Sequence, residues 1–118
     1  MDDQLTRITK KAIQFRDERD WKQFHDPKNL AEAITIESGE LLEKFLWIKD
    51  TNESYQLNNK QMDEVREEIA DVMIYLIYIC EGLRIDLIEA VEKKIQQNGE
   101  KYPVLKSKGN SKKYKDLD

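Results

Sequence analysis

The chain has one cysteine, one histidine, four glycines and two prolines in 118 residues, and each scarcity excludes something. A lone Cys80 rules out an intrachain disulfide; within the apolar segment 73–80 it is expected as a buried, inert thiol. A single His25 removes the His/Cys clusters that zinc sites use. So little Gly and Pro, with 39% hydrophobic and 37% charged residues, favours a helix-rich domain over a sheet protein or a disordered chain. The longest apolar run, 72–80, is too short to cross a bilayer and carries two tyrosines, and no signal peptide is visible. No membrane association and a cytoplasmic location are the default expectations. A net charge of −4 argues against a nucleic-acid binder, which would carry a basic face.

Apolar residues recur at three- and four-residue intervals, and strand-like alternation of useful length is missing. The spacing predicts helices over residues 2–19, 28–48, 60–82 and 86–101. A bend containing Pro27 and a polar loop over 49–59, with Asp50, Asn52 and Asn58, separate the first three. Gly82 is the expected terminator of the third helix, and Asp86 helps start the fourth. The fold class is all-α: a single domain over 1–118, a four-helix bundle, with residues from about 102 to 118 forming a mobile basic tail. A core of this size is marginal alone, and the second and third helices carry wide apolar stripes, so a homo-oligomer is expected.

Two acid pairs stand out. Glu37 and Glu40 lie three residues apart, as do Glu68 and Asp71, so each pair shares a helix face. Glu37 interrupts the apolar row Leu30, Ile34, Leu41, Phe45, Ile48, and Glu68 borders the row Val65, Ile69, Val72, Leu76. Carboxylates aimed toward a core are costly without a positive partner. No Lys or Arg holds a matching inward position, which points to a divalent cation. An all-oxygen set suits Mg²⁺, with Mn²⁺ as a substitute. On a helical wheel Glu40 and Trp47 share one flank, and Glu64, Glu68, Asp71 and Tyr75 share another. The competing reading is that these acids are solvated, with Glu40 meeting Lys44.

The fourth helix adds the opposite charge. Leu87 and Val91 begin a face that continues as Lys94, Asn98 and Lys101, which suits a polyphosphate, although lysines also favour a helix C-terminus. Trp21, Phe24, Trp47 and Tyr75 can sandwich a planar base, with Phe24 expected to be mostly core. His25 is assigned to hydrogen bonding with a base or sugar rather than to metal.

These residues resemble the MazG-like, all-α nucleoside triphosphate pyrophosphohydrolases, within them the dCTP pyrophosphatase-type branch. The resemblance rests on five ordered motifs. They are the segment 18–30 (ERDWKQFHDPKNL), Glu37-Ser38-Gly39-Glu40-Leu41 followed by Phe45-Leu46-Trp47, the segment 67–76 (EEIADVMIYL), Lys94 and Asn98 with Lys101-Tyr102-Pro103, and Lys113-Tyr114. It implies Mg²⁺ on Glu37, Glu40, Glu68 and Asp71, and a base and sugar pocket shaped by residues 21–25, Trp47 and Tyr75. It further implies nucleotide contacts from Asn98, Lys101 and a closing Lys113-Tyr114 tail, and a homodimer or a homotetramer built from dimers. Two positions depart from the family pattern: Ile36 replaces an additional Glu, and Ala12 stands where a His is expected in dCTP-preferring members, leaving metal number and base choice open.

The implied reaction is Mg²⁺-dependent hydrolysis of a nucleoside triphosphate to the monophosphate and pyrophosphate, with Glu37 or Glu40 accepting the water's proton and nucleotide-pool cleansing or signalling as the open purposes. The alternative is a non-catalytic metal- and nucleotide-binding regulator, or a helical interaction module in which the same acids hold a cation that fixes the bundle.

Overall fold

The computed structural model describes residues 3–49 and 52–117. The expected helix start at Asp2 and the loop residue Asp50 lie outside them. Among the described residues every regular element is helical: α1 (Gln4–Glu18), α2 (Pro27–Glu43), α3 (Asn59–Leu83), α4 (Leu87–Lys101) and the short α5 (Val104–Ser107), with 3₁₀ turns at Lys22–Phe24, Glu53–Tyr55 and Tyr114–Asp116.

Local chemistry sets the helix starts. Asp3, Asp26 and Asp86 each accept the backbone N–H three residues on, at 2.7, 2.9 and 3.0 Å. Pro27 occupies the first turn of α2, where its missing N–H costs nothing. Asn58 and Gln61 form a reciprocal capping box at the head of α3.

Two helix ends differ from expectation. α2 stops at Glu43 rather than near Ile48, although no Gly or Pro marks the place. The backbone tightens to three-residue hydrogen bonds, from Lys44 N–H to Leu41 C=O and from Phe45 N–H to Leu42 C=O. Such a turn satisfies the last carbonyls and sends the chain off the helix axis. α3 runs through Gly82, and the left-handed capping position falls on Arg84 at φ 57°. Its N–H still reaches the Cys80 and Glu81 carbonyls, so the hydrogen bonding of a C-cap is achieved without glycine.

The chain divides into two compact units, Met1–Arg84 and Ile85–Asp118. In the first, Ala12, Leu30, Ile77 and Tyr78 form the buried cluster, with Leu5, Ile74, Tyr75 and Ile79 packed against it. The contacts give the helix directions. Tyr78 OH donates to the Ala12 carbonyl and Arg16 reaches Glu81, so α1 runs along α3 in the same sense. Leu30 clusters with Ile77, Glu37 lies by Glu68, and Lys44 reaches Glu64 at 3.9 Å, so α2 runs opposite to α3. Phe24, expected in the core, is 61% exposed, because the 3₁₀ turn Lys22–Phe24 carries it away from the helices. Cys80 is half-buried, and desolvation raises its thiol pKa, which keeps it inert.

The second unit contains α4, α5 and the last 3₁₀ turn. Lys94, Asn98 and Lys101 are exposed on α4 at four- and three-residue steps, hence on one face. The following segment folds locally: the Tyr114 ring meets Tyr102 edge-on at 6.5 Å, and Lys101 Nζ lies 5.0 Å from its centroid. Lys113 directly precedes the Tyr114–Asp116 turn.

Candidate active site

Antiparallel packing of α2 on α3 brings the acid pairs together. One carboxylate oxygen from each of Glu37, Glu40 and Glu68 falls within 4.8 Å of the others. All three residues are half-buried. Asp71, one turn beyond Glu68, is exposed and lies outside this tight trio, but its charge is felt by Glu37. Glu64 is drawn off by Lys44, so the lysine expected as a surface partner for Glu40 bridges the helices elsewhere.

Converging carboxylates repel. Burial, followed by hydrogen-bonding contact with Glu68 and Glu40 and then the charges of Glu40 and Asp71, pushes the Glu37 pKa up to about 7. Glu37 Oε2 and Glu68 Oε2 are shielded from water with no donor facing them. Such orphaned acceptors are costly, and a hard divalent cation satisfies both. The donor set is all oxygen, the chemistry that suits a hard divalent cation. Tyr75 reports the same field: burial first, then Glu37, Asp71 and Glu40, raise its pKa and keep its hydroxyl protonated.

This arrangement gives a pH dependence of unusual sign. Folded Glu37 holds its proton up to about pH 7, against an ordinary value of 4.5. Its contribution to stability is full below 4.5 and is lost as pH rises through 7. His25 opposes this, since burial and then Arg16 lower its pKa, so its contribution falls as pH drops below its ordinary 6.5. Comparing metal-free wild type with Glu37→Gln isolates the first effect. The variant's advantage in melting temperature is expected to grow from pH 5.5 to pH 8. A constant difference across that range removes the clustered-carboxylate account.

Beside the acids a cavity of about 440 Å³ opens between α1, the bend and α3. Trp21, His25, Tyr75 and Tyr78 wall it, Ala12 lies on the α1 side, and Asp71 joins it to the acid cluster. Its size and apolar, aromatic lining fit a planar ligand with a few polar contacts. Phe15 meets Trp21 edge-on at 5.8 Å, while the Arg19 guanidinium lies 3.6 Å from the Phe15 centroid. The His25 ring lies 5.1 Å from Tyr78 and 6.3 Å from Tyr75. Its Nδ1 is shielded and has no partner, leaving a neutral imidazole with an unused polar atom at the cavity wall.

A profile of the MazG-like family matches residues 33–117. The chain belongs to the MazG-like family. It is 41% identical over 114 residues to dCTP pyrophosphatase 1 of Mus musculus and 38% identical to that of Homo sapiens, spanning 96% of this chain and 67% of each relative. A crystal structure of a pyrophosphatase from Archaeoglobus fulgidus shares 42% identity and a TM-score of 0.83, covering 87% of this chain and 95% of that one. The matched region includes both acid pairs, the α4 lysines and Lys113-Tyr114, while Trp21 and His25 precede it.

Within this MazG-like frame the sequence anticipated Glu37, Glu40, Glu68, Trp21, His25 and Tyr75, and the structure brings them into adjoining sites. Trp47 is different. It lies past the end of α2 and is 90% exposed, so it does not share a flank with Glu40. Lys94, Asn98, Lys101, Lys113 and Tyr114 belong to the second unit. Sequence reasoning missed Lys11 and Tyr78, which line the cavity, and Arg16, buried behind the Tyr78 ring. Tyr78 was hidden in an apolar run. Arg16 sits four residues after the buried Ala12, on the same α1 stripe, and that spacing was the available signal.

Proposed function

We propose that the protein hydrolyses a nucleoside triphosphate to the monophosphate and pyrophosphate, with Mg²⁺ held by Glu37, Glu40, Glu68 and Asp71. The observation that carries this reading is the trio of carboxylates on facing helices, two of their oxygens shielded and undonated, adjoining an aromatic cavity. Bound there, Mg²⁺ would supply positive charge for phosphate oxygens and acidify water. The base stacks among Trp21, Tyr75 and Tyr78, with His25 as its polar contact. That places the α-phosphate toward Asp71 and the acid cluster. Water attacks the α-phosphorus, the bond to the α–β bridging oxygen breaks, and pyrophosphate leaves. Glu37 or Glu40 takes the water's proton.

On the second unit, the cations of Lys94, Lys101 and Lys113 and the Asn98 amide have the chemistry that phosphate oxygens need. The names of the curated relatives favour dCTP among substrates. Incubation with each deoxynucleoside triphosphate and Mg²⁺, with products separated by ion exchange, tests the bond assignment. Monophosphate and pyrophosphate are expected; orthophosphate and a diphosphate overturn it.

Assembly as a homodimer, or a tetramer of two dimers, belongs to the same proposal. In the first unit Ile36, Leu42, Leu46, Trp47 and Ile69 are exposed, and in the second Ile88, Val91 and Ile95 are. Apolar surface of this kind marks an interaction face. Light scattering at micromolar concentration is expected to give a dimer or larger, and a compact monomer rejects it.

A further inference from the structure

Below the aromatic cavity lies a charge that the proposed chemistry does not use. Arg16 is 3% exposed, an unusual place for a guanidinium. Nη1 donates to Glu81 Oε2 and Nε to Asp17 Oδ1, both at 2.9 Å. Its Cζ lies 5.6 Å from the centroid of the Tyr78 ring. Tyr78, itself buried, donates its hydroxyl to the Ala12 carbonyl at 2.8 Å and carries His25 5.1 Å away at an interplanar angle of 31°. The Arg16 carbonyl also accepts the Trp21 N–H at 3.1 Å. One residue thus touches or supports three walls of the cavity.

Stability alone does not explain this expense. Replacing a buried ion pair with well-packed apolar groups is often neutral or stabilising. Glu81 is only partly buried and Asp17 is half-exposed, so neither carboxylate needs Arg16 to stay solvated. What the planar guanidinium supplies is direction: it ties the end of α1 to α3 by a hydrogen bond while holding one aromatic face.

Resting on the reading of the cavity as the base pocket, we propose that Arg16 is a positioning residue for base recognition. It fixes the Tyr78–His25 pair in the orientation that presents His25 to the nucleobase. Arg16 never meets substrate itself. Its removal therefore weakens nucleotide binding and leaves the hydrolytic step intact. Its charge adds a second effect. Burial, and then Arg16, depress the His25 pKa, keeping the imidazole neutral and able both to donate and to accept. The titratable groups around His25 are Arg16 and Lys11 on α1 and Asp71, Tyr75 and Tyr78 on α3, while the neighbouring Asp26 side chain is engaged with Asn29.

The test is Arg16→Met combined with Glu81→Gln, which removes the cation and the carboxylate facing it together. Assayed with dCTP and Mg²⁺, it is expected to raise KM about tenfold, the scale of one lost hydrogen bond, with kcat within about twofold. His25 is the only histidine, so its ring protons are unambiguous by NMR and should titrate at higher pH in the variant. Arg16→Lys retains a charge without the planar face and is expected to fold, to keep the His25 pKa depressed and to show the raised KM. Should the double variant not fold, Arg16→Lys and the wild-type His25 shift on adding dCTP decide the matter. With an active wild type, an unchanged KM in either folded variant overturns the role of Arg16 alone, and an unchanged His25 titration in the double variant removes the effect of its charge. A wild type that turns over no deoxynucleoside triphosphate and shows no His25 shift removes the pocket reading, and this proposal with it.

Discussion

Glu40→Gln is expected to lower kcat by on the order of 10²–10³-fold, the scale seen when one group stabilising developing charge is lost, while the helices stay folded. Gln preserves volume and removes a single negative charge from a trio confined within 4.8 Å. Two effects separate the catalytic reading from a merely structural cation site. In metal-free buffer the variant should melt no lower than wild type, since mutual repulsion among Glu37, Glu40 and Glu68 is relieved. In excess Mg²⁺ the wild type should gain more from the cation than the variant does. Calorimetric titration with Mg²⁺ should show weakened uptake in parallel with the lost turnover. A variant that melts far lower without metal yet hydrolyses nucleotide at the wild-type rate would place these acids in the scaffold and not in the chemistry.

The acid cluster was legible because its geometry is local. A three-residue separation fixes two carboxylates on one helix face regardless of the rest of the chain, and apolar rows beside Glu37 and Glu68 told which way they point. Helix starts were legible for the same reason: Asp26, Asn58 and Asp86 cap through bonds to residues three positions on. Tertiary competition hid the remainder. The end of α2 has no sequence breaker, and only its tightened final turns show that Trp47 leaves the helix. Gly82 looked like a terminator, but α3 continues until Arg84 takes the left-handed position. Asp71 lies one turn beyond Glu68 but is exposed and outside the tight trio, which periodicity alone does not encode. Arg16 shares the α1 stripe with Ala12, but a helix wheel treats an arginine as surface, whereas here Glu81, 65 residues away, draws it inward.

Leu30→Ala carries the largest expected effect on stability, a loss of about 2–5 kcal/mol. Leu30 is the most completely enclosed large side chain and the α2 member of the cluster with Ala12, Ile77 and Tyr78. Few residues share the load. Among the described residues only Ala12, Leu30, Val65, Ile77 and Tyr78 are buried hydrophobics, so a single domain with roughly 5–15 kcal/mol in total loses a large fraction. Collapse into the space left by the leucine is restricted, because Tyr78 is held by its bond to the Ala12 carbonyl and by the Arg16 guanidinium. The loss also transmits to function. Leu30 holds the end of α2 near Pro27 against α3, and the same helix carries Glu37 and Glu40 two and three turns on. The variant is therefore expected to unfold at lower denaturant concentration with the slope unchanged. If copies of the chain cover each other's exposed faces, its melting temperature should rise with protein concentration more steeply than a monomer allows. A shift below about 1 kcal/mol places the main stabilising core elsewhere, and melting independent of concentration removes the proposal that copies of the chain cover each other's exposed faces.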